Sequence, residues 1–195
     1  EKIFYIPITF SENIKGHPKK LNYSKIAVVA NMYDWVKGHD LIIKIAKQLD
    51  DDFEIYLYGD GKMRSEIENL ASNYHFGAKI LFMGRLEKEE IFSNNFGIGL
   101  VPSRSEGFGR SAAEFILNNR IVVSSDNGGI RELFTNELMK RLTYAPEDTY
   151  TAAEKIRLLN ESSEQEISRI LRSQKKCLSK LKPQNMENRI YEFFE

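Results

Sequence analysis

The chain has 195 residues, 42% apolar and 29% charged, which is one ordinary domain, or one and a half by length, with enough apolar surface for a substantial core. Lysine plus arginine and aspartate plus glutamate both number 28, so the formal net charge is zero and neither nucleic acid nor an anionic membrane stands out as the main partner. One cysteine, Cys177, excludes an internal disulfide, and no apolar run approaches the roughly 20 residues that span a bilayer.

In chain order, EKIFYIPITF has a short apolar run broken by Pro7 and no small-residue cleavage site. It lacks signal-peptide anatomy and, with the lone cysteine, points to the cytoplasm. Residues 11–25, SENIKGHPKKLNYSK, are polar and irregular and suggest a linker. Five apolar runs then have the character of buried strands: IAVVA (26–30), EIYLY (54–58), KILFM (79–83), GIGLV (97–101) and RIVVS (120–124). They show little alternation, as expected when both faces of a parallel sheet are covered. Between them lie helical stripes, first Leu41, Ile42, Ile45, Ala46 and Leu49, then Met63, Ile67, Leu70, Ala71 and Tyr74. Strand alternating with helix predicts a doubly wound α/β parallel sheet. Beyond the fifth run the sequence predicts a short helix near Gly129–Phe134, a last strand RLTY (141–144), and then mostly helix. Ile167, Ile170, Leu171, Leu178 and Leu181 indicate one long helix closing near Pro183, and NMENRIYEFFE a further short one.

Open parallel sheets bind ligands at the carboxyl ends of their strands, where loops feed helix N-termini. Glycine-bearing loops fall at that edge four times: Gly59-Asp60-Gly61, Met83-Gly84-Arg85, SEGFG (105–109) and Asn127-Gly128-Gly129. Backbone N–H groups at such turns can hold phosphate without a cationic side chain. Glycines also end strands everywhere, and GDG is not a dinucleotide fingerprint, which would follow the first strand, where this chain has ANMYDWVKG. In SRSEGFGRSAAEF (103–115), a helix beginning near 108–110 leaves Glu106 in the loop and sets Glu114 about 6 Å along the axis. A carboxylate can accept both hydrogen bonds of a vicinal diol. Two carboxylates flanking a run of amides therefore suit a sugar nucleotide: ribose at one end, diphosphate in the middle, hexose at the other.

The Glu-x7-Glu arrangement after a VPS strand end resembles the signature of retaining glycosyltransferases of family four, which have the GT-B fold. Further segments resemble that family in the same order: VKGHDLIIKIAKQL, YGDGKMRSEIENLA, ILFMGRLEKEEI, VVSSDNGGIRELF and YAPED, within a match that spans roughly residues 25–160. The resemblance implies one Rossmann-like half of a GT-B fold with extra C-terminal helices. Residues 1–24 would be a hinge segment, since IFYIPITF is similar to the family's interdomain link. Residues 25–160 would bind the nucleotide sugar, residues 161–195 would be C-terminal helices, and the N-terminal acceptor domain would be absent. Carried over, Glu106 would contact the donor sugar near its reacting end, and Lys37 would neutralise the diphosphate leaving group. Glu114 would hold the ribose hydroxyls. The amides of Gly107, Phe108 and Gly109 would face sugar and diphosphate, with Gly84 and Arg85 beside the base; Arg110, Gly59 and Asn31 complete the donor-binding set. No metal or other cofactor is implied, because Lys37 and helix dipoles can take up the charge. The substrate would be a UDP- or GDP-linked sugar.

The chain departs from the family in places. Asn31 stands six positions before Lys37, where an arginine is common, and EFILNNRIVV lacks the usual alanine and Gly-x-Pro turn. Taken singly, Lys37 is a surface lysine, Trp35 is packing rather than base stacking, and Arg110 adds charge or merely solvates its helix. His17, His39 and His75 are too scattered for a metal set, and Asp50–Asp52 form a solvated turn. Asp126 lines the cleft or caps the helix after it. Two function classes follow. One is the donor half of a metal-independent, retaining hexosyltransferase of bacterial surface-polysaccharide synthesis. Its glycan or lipid-linked acceptor would be met through the missing domain, in the cytoplasm or at the inner membrane face. The alternative is a non-catalytic module that binds a nucleotide or nucleotide sugar. Exposure of Tyr191, Phe193 and Phe194 would favour self-association through the C-terminal helix.

Overall fold

Every apolar run becomes a strand, and every strand pairs in parallel with its neighbours. The computed structural model describes residue 18, residues 20–73 and residues 77–179. Its strands are β1 (Asn22–Val29), β2 (Glu54–Tyr58), β3 (Lys79–Gly84), β4 (Phe96–Val101), β5 (Ile121–Ser125) and β6 (Thr143–Tyr144). They form one six-stranded sheet in the order β3-β2-β1-β4-β5-β6. The order reverses between β1 and β4, so loops leaving those two strands diverge and open a crevice at their carboxyl ends. The helices are α1 (His39–Ala46), α2 (Arg64–Ser72), α3 (Lys88–Ser93), α4 (Arg110–Leu117), α5 (Ile130–Leu133), α6 (Glu137–Lys140), α7 (Thr149–Glu161) and α8 (Glu164–Ser179). Helix α7 packs on α1, β1 and β5, while α8 packs on α4, α5, α6 and β5.

Central strands β4 and β5 are buried along their whole lengths, which explains their uniformly apolar sequences. Gly99 of β4 lets α4 close on the sheet, because a Cβ there would stand 2.3 Å from the Phe115 ring. Phe115 sits edge-on to both Phe92 and Phe96. Burying such a ring contributes about 1.5–3 kcal/mol, and here it fixes the angle at which α4 leaves the loop after β4. Arg120, fully buried just before β5, has no carboxylate partner among the described residues. It donates to the carbonyls of Phe92, Asn94 and Asn118 and stacks 4.8 Å over Phe96, and burial lowers its pKa to about 10.

Some expectations shift. β1 begins at Asn22, inside the expected linker, because the Asn22 N–H donates to the Asn95 carbonyl and Asn22 aligns with Phe96. The last strand shortens to two residues, and the four-residue α6 was not foreseen. α1 buries its expected stripe and Ile43 besides, but α2 fully buries only Ile67, since it covers the sheet near its edge. Tyr74, Leu181, Pro183 and the terminal segment with its aromatics lie outside the described residues. No helix among the described residues is long and apolar enough to cross a membrane.

Candidate functional site

Two loops meet at the crevice. After β1 the chain runs to a single 3-10 turn, Trp35–Lys37, whose start is capped by Asp34 accepting from the Val36 N–H at 2.9 Å. Gly38 ends the turn in the left-handed region, and a Cβ there would stand 2.3 Å from the Pro102 carbonyl oxygen. Only glycine permits this approach, and the approach delivers Lys37 to the loop after β4. Lys37 Nζ donates to Glu106 Oε1 at 2.7 Å, and Ser103 Oγ donates to the same oxygen at 2.8 Å. The Glu106 side chain is 10% exposed and that of Lys37 27%, so the pair is shielded yet faces the opening.

The Glu106 loop is braced from behind by the turn after β5. Ser125 Oγ and Asn127 Nδ2 both donate to the Ser103 carbonyl, and the Gly129 N–H donates to the Glu106 carbonyl. A Cβ on Gly128 would stand 1.9 Å from that same Glu106 oxygen. Gly107 contrasts with this tight bracket, because a Cβ on it would meet nothing within 4 Å. Gly109 is left-handed and starts α4, and the N–H groups of Gly107, Gly109 and Arg110 meet no acceptor among the described residues. The result is an open turn at a helix N-terminus, a geometry suited to an anion. One turn into the helix, Glu114 accepts from Lys88 Nζ at 2.6 Å.

Arg104, two residues before Glu106, ties four segments together. Its guanidinium donates to the Trp35 carbonyl, to both oxygens of Asp40 on α1, and to Glu147 in the β6–α7 turn, all at 2.7–2.8 Å. These bonds hold the Asp40 carboxyl below its ordinary range, with the Arg104 hydrogen bonds as the largest cause. Beside Asp40, His39 is 1% exposed, its Nδ1 has no hydrogen-bond partner among the described residues, and burial pushes its pKa down to about 4.

The structure thus joins Lys37 to Glu106 directly and sets Gly107, Gly109 and Arg110 at the same opening. Arg110 and Asn31 are exposed. Gly84 and the exposed Arg85 close β3, three strand positions from β4 or roughly 14 Å across the sheet; Lys88, three residues on, reaches back to Glu114. Gly59 donates its N–H to the Gly84 carbonyl and a Cβ on it would stand 1.9 Å from the Ala30 oxygen, so its amide and its lack of a side chain both serve packing within the sheet. The Phe108 side chain is buried. Asp126 caps no helix and instead pairs with Arg131. Trp35 is partly buried against the core, as the packing reading expects, and Asp50–Asp52 are exposed. Ser103, Arg104, Asn127 and Lys88 were missed. The sole local signal was a cation and a hydroxyl immediately before Glu106.

Residues 10–176 match the family described as glycosyl transferases group 1. The uncharacterized glycosyltransferase MJ1178 of Methanocaldococcus jannaschii is 35% identical over 99 residues, which are 50% of this chain and 27% of that protein. The O-antigen biosynthesis glycosyltransferase WclY of Escherichia coli is 32% identical over 100 residues, 50% of this chain and 28% of the relative. The matched stretch therefore spans little more than a quarter of either protein. The crystal structure of Anabaena Alr3699/HepE in complex with UDP-glucose shares the fold, with a TM-score of 0.73 at 18% identity, over 89% of this chain and 48% of that one.

Proposed function

The chain belongs to the glycosyl transferases group 1 family, and from that premise we propose that it forms the donor-binding half of a retaining hexosyltransferase acting on a nucleotide-diphosphate sugar, UDP-linked in the first instance. The observation that carries this reading is the open turn at the N-terminus of α4, flanked by Glu106 with Lys37 on one side and Glu114 on the other. A diphosphate would lie against the turn amides and Lys37, where helix dipole and ammonium both favour negative charge. Glu106 would accept from a hexose hydroxyl, and Glu114 from the two ribose hydroxyls. The base would lie toward Gly84 and Arg85. As the bond to the sugar breaks, charge grows on the diphosphate, and the preorganised Lys37 and amides stabilise it more than they stabilise the bound donor. A UDP donor is supported by the UDP-glucose complex of HepE. A polysaccharide product is supported by the O-antigen role in the name of WclY.

Calorimetric titration with UDP, GDP, ADP and their hexose conjugates tests the reading, with Glu114→Ala alongside. One nucleotide class should bind and should weaken in the variant by about 1–3 kcal/mol, the contribution of a charge-assisted hydrogen bond. Binding that is indifferent to Glu114 would refute the assignment of the ribose subsite.

A further inference from the structure

We propose that Arg104 is the positioning residue of this site: it fixes the turn carrying Lys37 onto the loop carrying Glu106, and so sets where the cation meets the diphosphate. This rests on the donor-binding reading.

Both carbonyls that precede Lys37 are held by this one residue. The Trp35 oxygen accepts from Arg104 Nη1 at 2.7 Å, and the Val36 oxygen accepts from the Arg104 backbone N–H at 2.7 Å. On the far side of Lys37, Gly38 abuts the Pro102 carbonyl. Lys37 is therefore pinned before and after by the same loop that presents Glu106. The guanidinium continues into α1 through a two-pronged bond to Asp40, each arm 2.8 Å. Its Nε reaches Glu147, a non-glycine residue in the left-handed region at φ 68°. That conformation costs free energy, so the β6–α7 turn is held in an unfavourable shape while meeting Arg104. An arginine supplies five N–H donors in a rigid plane, and four of them have these partners. Lysine could not serve all three directions at once. With its charge faced by Asp40 and Glu147, Arg104 is committed to the scaffold and is not itself a phosphate ligand.

Loosening the 35–37 turn should therefore weaken ligands in proportion to their dependence on Lys37. UDP and UMP differ by the terminal phosphate, and the ratio of their affinities reads that dependence. Titrations would use this chain unaltered and as Arg104→Lys, Arg104→Met, Asp40→Asn, Lys37→Met and the Lys37→Met/Arg104→Met double variant, each with its melting temperature. Arg104→Lys and Arg104→Met should lower the UDP-to-UMP ratio about tenfold, the loss of one charge-assisted hydrogen bond. The double variant should fall no further than Lys37→Met, because both substitutions remove the same contact. If Arg104→Met does not fold, Asp40→Asn carries the test with the same expected direction. Equal weakening of UDP and UMP, or a lower melting temperature with the ratio intact, would reduce Arg104 to a structural role and overturn the inference. Failure of UDP, GDP and ADP to bind the unaltered chain would overturn the donor-binding reading and this inference with it.

Discussion

Acid should weaken this protein through one buried imidazole, and the size of the effect can be worked from its surroundings. His39 opens α1 directly beside the Lys37 turn, is 1% exposed, and has its pKa lowered from 6.5 to about 4. Burial is the main cause; Asp40 and Asp34 oppose it, and Lys37 adds to it. In the unfolded chain the imidazole takes a proton near its ordinary value, whereas in the folded chain it resists until about 4. Between those values the unfolded state binds more protons, so stability falls as the pH falls through that window, and the loss levels off below it. At about 1.4 kcal/mol per pH unit, the full window corresponds to about 3 kcal/mol. Asp40 is held ionised by Arg104 to below its ordinary value of 3.8, so its own contribution is lost at lower pH and leaves the His39 window clear. The assay is urea unfolding of the unaltered chain and of His39→Leu at closely spaced pH values from 7.5 to 4. The difference between them should shift by about 3 kcal/mol in favour of the variant as the pH drops. Parallel curves would mean that the imidazole gains its proton in both states alike, and would refute the argument from burial.

Two further perturbations bear on the opening itself. Gly107→Ala should leave the melting temperature unchanged while weakening nucleotide binding, whereas Gly128→Ala should lower both, since its new methyl would meet the Glu106 carbonyl; thermal melts with titration separate the two, and a destabilised Gly107→Ala would contradict the open turn. Lys88→Met should cost at most about 1 kcal/mol in stability and tighten nucleotide binding two- to fivefold, roughly, because a ribose seated on both Glu114 oxygens would no longer share one with an ammonium; weaker binding would make Lys88 a ligand in its own right.

The strands were legible because a parallel strand covered on both faces has little choice but to be apolar. Asn22 escaped notice because its place in β1 comes from Phe96, in a strand more than seventy residues on, not from hydrophobicity. Glu106 and Glu114 stood out because their spacing is written along the chain, and Lys37 only because VKGHDLIIKIAKQL resembles the family's helix. Arg104 did not, because its meaning lies in Trp35, Asp40 and Glu147, which only the fold brings near. Gly59 shows the converse limit. A glycine that lets a neighbouring carbonyl approach and one that lets a ligand approach satisfy the same steric demand, so the letter alone does not separate them.

Lys37 and Glu106 neutralise one another at the opening, and on the donor-binding reading a ligand would not have to dismantle that pair. Lys37 and Ser103 both donate to Oε1 of Glu106, filling that oxygen and leaving Oε2 without a partner among the described residues. A hexose hydroxyl could take Oε2 while both existing bonds persist. Lys37 has three N–H donors and uses one on Glu106, so it could add a phosphate oxygen without leaving the carboxylate. The Ser103 bond matters most if Lys37 does swing toward the diphosphate, because it keeps Glu106 in place when its counter-ion departs. On the donor-binding reading the two charged residues would then act as one unit. The ammonium would follow the growing negative charge on the leaving group, and the carboxylate it uncovers would face the sugar carbon that becomes electron-poor. That coupling of opposite charges to opposite ends of one breaking bond is stronger in the transition state than in the bound donor, which is the condition for catalysis rather than mere binding.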